Sequence, residues 1–325
     1  MRNTRRTLIA GLGLLPLSLR AQTDTGSWPS RPIRIFVGFP PGQASDIIAR
    51  AYADELAKRL GQPVIVENRP GAGATIAAEA AARSPADGYT IYYGSSGPLA
   101  IAPNMYAKLN FDPIRDFEPV AMAGIVPFVL VVPTDSVFKN LEELLAAGRG
   151  PNGAAINYGS AGQGSTSHLV MEMLKADAGL KFNHVAYKGS VPALNDLIGG
   201  STQVSLDTVS AVLPLIKSKR LRALGVSTAK RLPEFPDVPA IAEFVPGYDA
   251  VAWGMWAVPT GTPVPIIERL ANEFAQINQA SSVQQRLAAA GISLAERPRA
   301  QLKPFMQTEL ERWGRAVKVS GATLN

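Results

Sequence analysis

The chain has 325 residues, with 32 lysines and arginines, 26 aspartates and glutamates and no cysteine, which gives a formal net charge of +6. The lack of cysteine excludes disulfide bonds and thiolate metal sites, so the fold must be stabilised by its hydrophobic cores. Its length is enough for two domains of ordinary size.

Residues 1–21 have the composition of an export signal. A basic segment precedes an apolar run at residues 8–19, and a passable cleavage site ends near Ala21. The run is too short to anchor the chain in a bilayer. Arg5 and Arg6 stand together as in a twin-arginine signal, but an ordinary Sec signal fits equally well, and both routes lead to the periplasm.

Removal of this segment changes the charge of the chain. The segment contains four arginines and no acidic residue, so the remaining 28 basic and 26 acidic residues leave a net charge of +2. No basic tract with interleaved aromatic residues follows, and the cluster at residues 217–222 is typical of a solvated helix end. We therefore expect no nucleic-acid partner.

The first strand and helix of the pattern are joined by a Pro/Gly loop at residues 39–46. Residues 33–37 predict a buried strand, and a helical stripe follows at Ile48, Tyr52, Leu56 and Leu60. Ser45 or Asp46 is the expected N-cap. Backbone N–H groups at such a helix N-terminus, together with the helix dipole, form an anion site suited to a carboxylate or a phosphate.

A second unit of the same kind lies about a hundred residues downstream. Residues 156–158 predict a strand, residues 159–164 a glycine-rich loop, and a helix begins at Ser165 with one face formed by Leu169, Met173 and Ala176. Two such units could offer donors to one small anion, one unit from each lobe of a clamp.

The remaining elements alternate between strand and helix. Strands are predicted at residues 63–66, 89–93, 182–185, 203–206 and 221–226. Helices are predicted at residues 74–82, 141–147, 192–198, 210–217, 263–277, 282–290 and 300–319. This alternation favours an α/β fold with mainly parallel sheets covered on both faces, and ligands bind beyond the carboxyl ends of such strands.

Two apolar stretches are suited to carry the chain from one lobe to the other and back. They lie at residues 119–133 and 251–258. Two crossings predict a discontinuous first lobe, residues 28–126 together with 256–325, and a second lobe at residues 127–255. Two hinge strands between two lobes are typical of a clamp that closes on a ligand.

Motifs of nucleophilic, metal and nucleotide chemistry are missing. The patterns G-x-S-x-G, H-E-x-x-H and the Walker motif are absent, and the glycines at residues 159–164 do not have the dinucleotide-binding order. The two histidines stand apart from acid pairs, so we expect no metal site and no cofactor. His168 either contacts a ligand or hydrogen bonds at its helix N-terminus, and His184 is expected to be structural.

Two charged residues follow predicted strands of the second lobe. Lys188 either neutralises a carboxylate or is an ordinary surface lysine. Asp207 ends an apolar strand where ligands bind, so it either accepts from a ligand ammonium or hydroxyl or caps the helix that begins near Ser210. An acid in this place would disfavour purely anionic ligands.

Several motifs, taken together and in this order, resemble those of one family. They include F-P-P-G-Q-A-S-D at residues 39–46, V-E-N-R-P-G-A-G at 66–73, D-G-Y-T at 87–90, G-S-A-G-Q-G-S at 159–165 and Y-K-G at 187–189. Shorter matches lie at residues 32–35, 60–64, 168–169, 236–239 and 246–248. The chain resembles the periplasmic solute-binding proteins of tripartite tricarboxylate transporters, the Bug or TctC family, along nearly all of its length after the export signal.

The resemblance implies a two-lobed Venus-flytrap fold, similar to type II periplasmic binding proteins, and no enzymatic activity. Such a receptor binds a small organic acid, a mono-, di- or tricarboxylate or an acidic amino acid, and hands it to membrane permease subunits. We expect it to be a monomer. In the family, backbone donors and ordered waters of both loops hold the ligand carboxylate.

By motif position, the carboxylate-binding roles fall to Phe39, Ser45, Ser160, Gly164 and Ser165. Asp207 matches the position that meets the distal group of the ligand in some members. The loop with Gly94, Ser95 and Ser96 matches one that lines the same cleft. The first loop and the charged positions complete the expected ligand-binding set with Gln43, Ala44, Asp46, His168 and Lys188.

Two residues depart from the family pattern in the first loop. Gln43 stands where a second glycine is usual, and Ser45 stands where threonine is usual. Gln43 could add a donor at the rim or narrow the entrance, so ligands of other members need not transfer.

Two other functions compete with a transport receptor. A periplasmic hydrolase would use Ser95, Ser96 or Ser165 as its nucleophile, but no base is paired with any of them in the sequence. A sensory co-receptor would bind the same ligand and present it to a signalling partner, and the sequence does not distinguish this role from transport.

Overall fold

The computed structural model describes residues 28–322, so the predicted export signal at residues 1–21 lies outside the described residues. Ten strands are present in this part of the chain: β1 (Ile33–Val37), β2 (Val64–Asn68), β3 (Thr90–Ser95), β4 (Phe117–Val126), β5 (Phe128–Pro133), β6 (Asn157–Ser160), β7 (Asn183–Ala186), β8 (Val204–Thr208), β9 (Leu221–Val226) and β10 (Ala252–Pro259).

Ten α-helices are interspersed with these strands: α1 (Ala44–Leu60), α2 (Thr75–Ala82), α3 (Ala102–Met105), α4 (Leu141–Arg149), α5 (Thr166–Ala178), α6 (Ser190–Ile198), α7 (Val209–Lys217), α8 (Val264–Asn278), α9 (Ser281–Ala289) and α10 (Leu302–Ser320). Short 3-10 helices lie at Ala72–Ala74, Gly153–Ala155, Ile241–Glu243 and Arg299–Gln301, and a π-helical turn lies at Gly97–Ile101. The predicted elements are present with ends shifted by a few residues, whereas α3 and the turn before it were not predicted. None of the helices between residues 28 and 322 is long and apolar enough to cross a membrane.

The two sheets have the same arrangement of strands. The first has the order β2-β1-β3-β10-β4, and the second has the order β7-β6-β8-β5-β9. In each sheet four strands run in one direction, and β10 or β5 runs antiparallel to both of its neighbours. The reversed strand is the one that enters its sheet from the other lobe. The prediction of a two-lobed α/β fold with mainly parallel sheets is confirmed.

The chain passes between the sheets at two places. Only Pro127 separates β4 in the first sheet from β5 in the second. At the second place, residues 227–251 connect β9 to β10. Because proline lacks the N–H group that would continue a ladder, Pro127 divides one long apolar stretch into two strands of different sheets.

The lobe boundaries follow from these crossings. The predicted boundary between residues 255 and 256 falls inside β10, which pairs along its whole length with strands of the first sheet. A boundary there would divide a continuous hydrogen-bonded ladder. We propose instead that the first lobe comprises residues 28–126 and 252–322, and the second residues 127–251.

Helices cover both faces of the first sheet and fix its edge. The stripe of α1 packs with α8 and α9 on one face, where Trp256 lies 4.9 Å from Tyr52 and 5.0 Å from Phe274 between ring centroids. Burial of three such rings is worth several kcal/mol, so α1 is held firmly with its N-terminus at the sheet edge. The last helix, α10, packs against α3 and also against α5, and it therefore joins the two lobes behind the cleft.

Candidate functional site

A cleft of about 700 Å³ lies where the carboxyl ends of the parallel strands of the two sheets face each other. The residues that follow β1, β3, β6, β7 and β8 line it, so the N-termini of α1, α5, α6 and α7 all reach its wall. Ligands of open α/β sheets bind at this edge. The cleft is therefore the candidate site.

Helix α1 begins at the cleft with free backbone donors. Its N-cap residue is Gln43, which makes no side-chain cap, so the prediction of Ser45 or Asp46 as the N-cap is wrong. The N–H groups of Ala44, Ser45 and Asp46 have no hydrogen-bond partner within residues 28–322. Ala44 and Ser45 line the cleft. The positive end of the helix dipole lies behind these donors, and the arrangement suits an anion.

Asp46 holds this loop from behind and does not line the cleft. Its buried carboxylate accepts from the Gly42 N–H at 2.9 Å, from Arg50 Nε at 3.0 Å and from Asn68 Nδ2 at 2.9 Å. Burial alone would raise the pKa of Asp46, but the hydrogen bonds from Arg50, Gly42 and Asn68 together keep it below its ordinary value. Asn68 also donates to the Phe39 carbonyl at 2.9 Å. The carboxylate of Asp46 is therefore hydrogen bonded to groups that hold the loop in place.

The loop between β6 and α5 uses several of its backbone donors internally. The N–H groups of Ala161, Gly162 and Gly164 donate to Ser167 Oγ at 3.0 Å, Ser160 Oγ at 3.2 Å and His168 Nδ1 at 3.1 Å, respectively. These bonds shape the loop from within. The Gly164 N–H therefore points to His168 and is not offered to a ligand.

The free donors of the second lobe lie one step further along, at the start of α5. Ser165, where the helix was predicted to begin, is its N-cap, and the Ser165 hydroxyl accepts from the His168 N–H at 3.3 Å. The N–H groups of Thr166 and Ser167 have no partner among the described residues, and both residues line the cleft. The N-termini of α1 and α5 thus offer donors to the same space from opposite lobes.

Two stacked histidines lie beneath this second loop. The ring centroids of His168 and His184 are 3.9 Å apart, and His184 Nε2 lies 2.7 Å from Ser160 Oγ. Burial and the neighbouring His184 lower the pKa of His168 to about 4, and burial lowers that of His184. The His168 ring is therefore neutral near pH 7, as the bond from the Gly164 N–H to its Nδ1 requires. Of the two roles considered for His168, the geometry supports the structural one.

Asp207 and Lys188 are the charged side chains that line the cleft in the second lobe. Asp207 is 1% exposed, and its Oδ1 accepts from the Thr208 N–H at 2.7 Å. Thr208 is the N-cap of α7, so this bond precedes the helix and does not cap its first turn. The second oxygen, Oδ2, has no partner among the described residues, and burial raises the pKa of the carboxyl.

The end of β3 and the hinge strands form the floor of the cleft. Gly94 and Ser95 belong to β3, so only Ser96 of the three residues predicted to lie in this loop follows the strand. Ser95 and Ser96 line the cleft, whereas a side chain on Gly94 would meet Leu99 and Tyr92. Aromatic side chains provide the apolar part of the wall, namely Phe39, Tyr93, Phe128 and Trp253.

Nine of the fourteen predicted ligand-binding residues line the cleft: Phe39, Gln43, Ala44, Ser45, Ser95, Ser96, Ser165, Lys188 and Asp207. Five do not line it and lie behind it: Asp46, Gly94, Ser160, Gly164 and His168. Lining residues that the sequence did not predict include Tyr93, Phe128, Thr166 and Trp253. Thr166 directly follows the predicted loop motif at residues 159–165, but nothing in the sequence distinguishes Trp253 from a core tryptophan.

The three serines considered as nucleophiles have no histidine side chain bonded to them in the described part of the chain. Among residues 28–322, no hydrogen bond joins Ser95, Ser96 or Ser165 to a histidine side chain. The serine that does contact an imidazole is Ser160, which is fully buried and cannot meet a substrate. This arrangement offers donors and shape to a ligand, and no histidine of the described residues activates any of these three serines.

Comparisons with known proteins agree on one family. A family model described as the tripartite tricarboxylate transporter family receptor matches residues 48–322. The protein BugT of Bordetella pertussis is 35% identical over 326 residues, covering 100% of both chains. A solved structure of Rpa4515 from R. palustris with adipate has 33% identity and a TM-score of 0.77, covering 91% of this chain and 100% of its own. MatC from Rhodopseudomonas palustris with bound malate has 31% identity and a TM-score of 0.73, covering 89% and 100%.

Proposed function

The chain belongs to the tripartite tricarboxylate transporter receptor family, and on that premise we propose that it is a periplasmic solute receptor for a small organic carboxylate. The ligand lies between the lobes and is delivered to the membrane subunits of a tripartite tricarboxylate-type transporter. Solved relatives with adipate and with malate support a carboxylate ligand. We further propose that the protein acts as a monomer and performs no catalysis.

The observation that carries this proposal is the pair of helix N-termini that face the cleft from the two lobes. Ala44 and Ser45 offer free N–H groups from α1, and Thr166 and Ser167 offer them from α5. An anion that accepts from both ends satisfies unpaired donors of both lobes at once. It therefore stabilises the closed arrangement more than the open one, which is the differential affinity that a clamp requires.

The test is thermal unfolding of the exported protein, freed of co-purified ligand by unfolding and refolding, against a panel of small acids. The panel contains succinate, adipate, L-malate, citrate, L-glutamate and benzoate, and the uncharged amides adipamide and benzamide serve as matched controls. At a hundredfold excess over the dissociation constant, a ligand adds about 2.7 kcal/mol, which raises the melting temperature by roughly 4 °C.

The outcomes of this panel separate clearly. A shift with at least one acid and none with the amides is expected, because the helix ends recognise the charge. Equal shifts with an acid and its amide would contradict recognition by the helix N-termini. Turnover of a generic ester by the same preparation would instead support a hydrolase.

A further inference from the structure

We propose that Glu309, which is not among the described residues that line the cleft, is a positioning residue for ligand binding. It holds the indole ring of Trp253 in one orientation, and the fixed ring makes the cleft selective for the shape of the ligand. This inference rests on the proposed function, since the ligand is the carboxylate that binds between the lobes. It goes further by assigning a role in selectivity to the last helix, α10.

The first observation is the place of Trp253 beside the hinge. It lies near the start of β10, just after the second crossing, and it pairs with Ile125 of β4, two residues before the first crossing at Pro127. Trp253 lines the cleft although it is only 2% exposed. Most of the ring is therefore packed, and a small part of it is presented to a ligand. A change in the orientation of this ring would change the shape of the cleft.

The second observation is that α10 fixes this ring from outside the cleft. The indole N–H of Trp253 donates to Glu309 Oε2 at 2.7 Å, and the Phe305 ring packs edge-on against Trp253 with centroids 5.3 Å apart. Phe305 and Glu309 are four residues apart and so lie on one face of α10. Because its N–H group is bonded to α10, Trp253 offers an apolar surface to the ligand.

The third observation is that a buried carboxylate performs this task. Glu309 is 5% exposed, and the same oxygen that accepts from Trp253 also accepts from the indole N–H of Trp313 at 2.9 Å. A buried carboxylate is costly unless it is paired, and apolar packing alone does not require one. We infer that the carboxylate serves to direct the two indole N–H groups.

A fixed ring discriminates between ligands better than a mobile one. Trp253 presents the same apolar surface to every ligand, and an acid whose body fits against this surface binds without the cost of ordering the side chain. Without Glu309 the indole N–H would lose its partner, and the ring would be free to reach other orientations. Acids that fit the wild type best should then lose most affinity, and poorly fitting acids should lose least.

The experiment is isothermal titration with the six acids of the panel. In Glu309→Met the side chain keeps a similar size but has only a weak acceptor. The dissociation constant of the best acid should rise on the order of tenfold, and the range of affinities across the panel should narrow. Glu309→Gln keeps an oxygen that accepts from the indoles, so it should restore most of the affinity and of the selectivity.

The control for the loss of a buried carboxylate is a second glutamate of the first lobe. Glu273 in α8 is 7% exposed, is paired with Arg59 and Arg269, and is not among the described residues that line the cleft. Breaking such a pair lowers stability. Glu273→Met should therefore lower the melting temperature, as Glu309→Met does, but it should leave every affinity unchanged.

The route through Trp253 is tested with Trp253→Phe, alone and combined with Glu309→Met. If Glu309 acts through this ring, Glu309→Met should have little effect on affinity once phenylalanine stands at position 253, because that ring has no N–H to hold. The matched control is Trp313→Phe, which removes the other indole N–H bonded to the same oxygen. It should leave the affinities unchanged.

A spectroscopic measurement on the ligand-free protein tests the positioning directly. The contribution of Trp253 to the fluorescence anisotropy decay is obtained by comparing each protein with its Trp253→Phe counterpart. In the wild type this ring should rotate only with the whole molecule, whereas in Glu309→Met it should gain a fast component of side-chain motion. A purely structural role of Glu309 would lower stability without adding this component.

The other outcomes overturn the inference. Equal effects of Glu309→Met with tryptophan and with phenylalanine at position 253 would show that Glu309 does not act through this ring. An equal loss of affinity for every acid, with no fast component in the anisotropy decay, would make Glu309 a structural residue. Unchanged affinities in Glu309→Met would mean that packing alone positions Trp253. These results leave the proposed function intact, whereas a wild type that binds none of the acids would remove both.

Discussion

The backbone donors of α1 can be tested one at a time by proline substitution at Ala44. Ala44 is the first helical residue, where proline is well tolerated because its missing N–H has no partner within the helix. The preceding residue must be extended, and Gln43 already has φ −79° and ψ 164°. The substitution Ala44→Pro therefore removes one free donor at the cleft and leaves the helix intact.

The size of the effect follows from the geometry. Ala44 and Ser45 are the residues of this helix end that line the cleft, and the Ala44 N–H has no partner within residues 28–322. A hydrogen bond to a charged acceptor contributes about 1.5–3 kcal/mol, which corresponds to roughly 10- to 150-fold in affinity. We expect the dissociation constant of the best acid of the panel to rise by that factor, with little change in the free energy of unfolding of the ligand-free protein.

The assay is isothermal titration, with denaturant unfolding as a check on folding. The matched control is Ser281→Pro, which places proline at the first residue of α9 after an extended residue, Ala280, with φ −73° and ψ 120°. It should leave affinity unchanged. An Ala44→Pro affinity within twofold of the wild type, in a protein of unchanged stability, would refute the assignment of the α1 end as the carboxylate site.

Three further predictions concern the support of the two loops. The pKa of His168 is lowered to about 4 from an ordinary 6.5, so as the pH falls the unfolded chain takes up a proton on this residue before the folded protein does. The free energy of unfolding should therefore fall by about 3 kcal/mol between pH 6.5 and 4. Urea unfolding of His168→Asn should show a weaker dependence on pH. Alanine at Gly164 or at Gly179 would have to adopt a left-handed backbone, with φ +70° and +67°, respectively, and each substitution should lower the free energy of unfolding by about 1 kcal/mol in denaturant. In isothermal titration only Gly164→Ala should weaken ligand binding, because its side chain would also meet Met105 of the first lobe. Asp46→Asn should destabilise the protein by about 2 kcal/mol at pH 7. Because the pKa of Asp46 is lowered, the difference in free energy of unfolding between this variant and the wild type should shrink in urea as the pH falls below 4. A difference that does not change with pH would contradict the charge-assisted hydrogen bonds of Asp46.

Much of the fold is predictable from the sequence because its pattern is strongly periodic. The stripe at Ile48, Tyr52, Leu56 and Leu60 is buried as expected, and the apolar strand at residues 221–226 matches β9. The second boundary that we propose differs from the predicted one because an apolar stretch such as residues 251–258 has no internal mark of where one lobe ends. Only the pairing of β10 with β3 and β4 shows that the whole strand belongs to the first sheet.

The site was predicted to the level of loops but not of atoms. A sequence motif such as that at residues 159–165 predicts a loop rich in N–H groups, but it does not say which of them are already used. The Gly164 N–H donates to His168, four residues away, and the carboxylate of Asp46 turns back to Gly42. In both cases a nearby group of the loop takes up a hydrogen-bonding group that a ligand could otherwise have used. Which partner it meets depends on side-chain orientation, which the periodicity of the sequence does not encode.

The same competition makes the two lobes unequal partners in binding. Helix α1 offers three N–H groups without partners, whereas the loop before α5 is tied down by its own bonds to Ser160, Ser167 and His168 and leaves two. The first lobe is therefore expected to make the stronger contact with the carboxylate in the open state. We expect the second lobe to close on the ligand that the first lobe already holds. This inequality between the lobes is why Ala44→Pro, which removes one of the α1 donors, should weaken the binding of every acid.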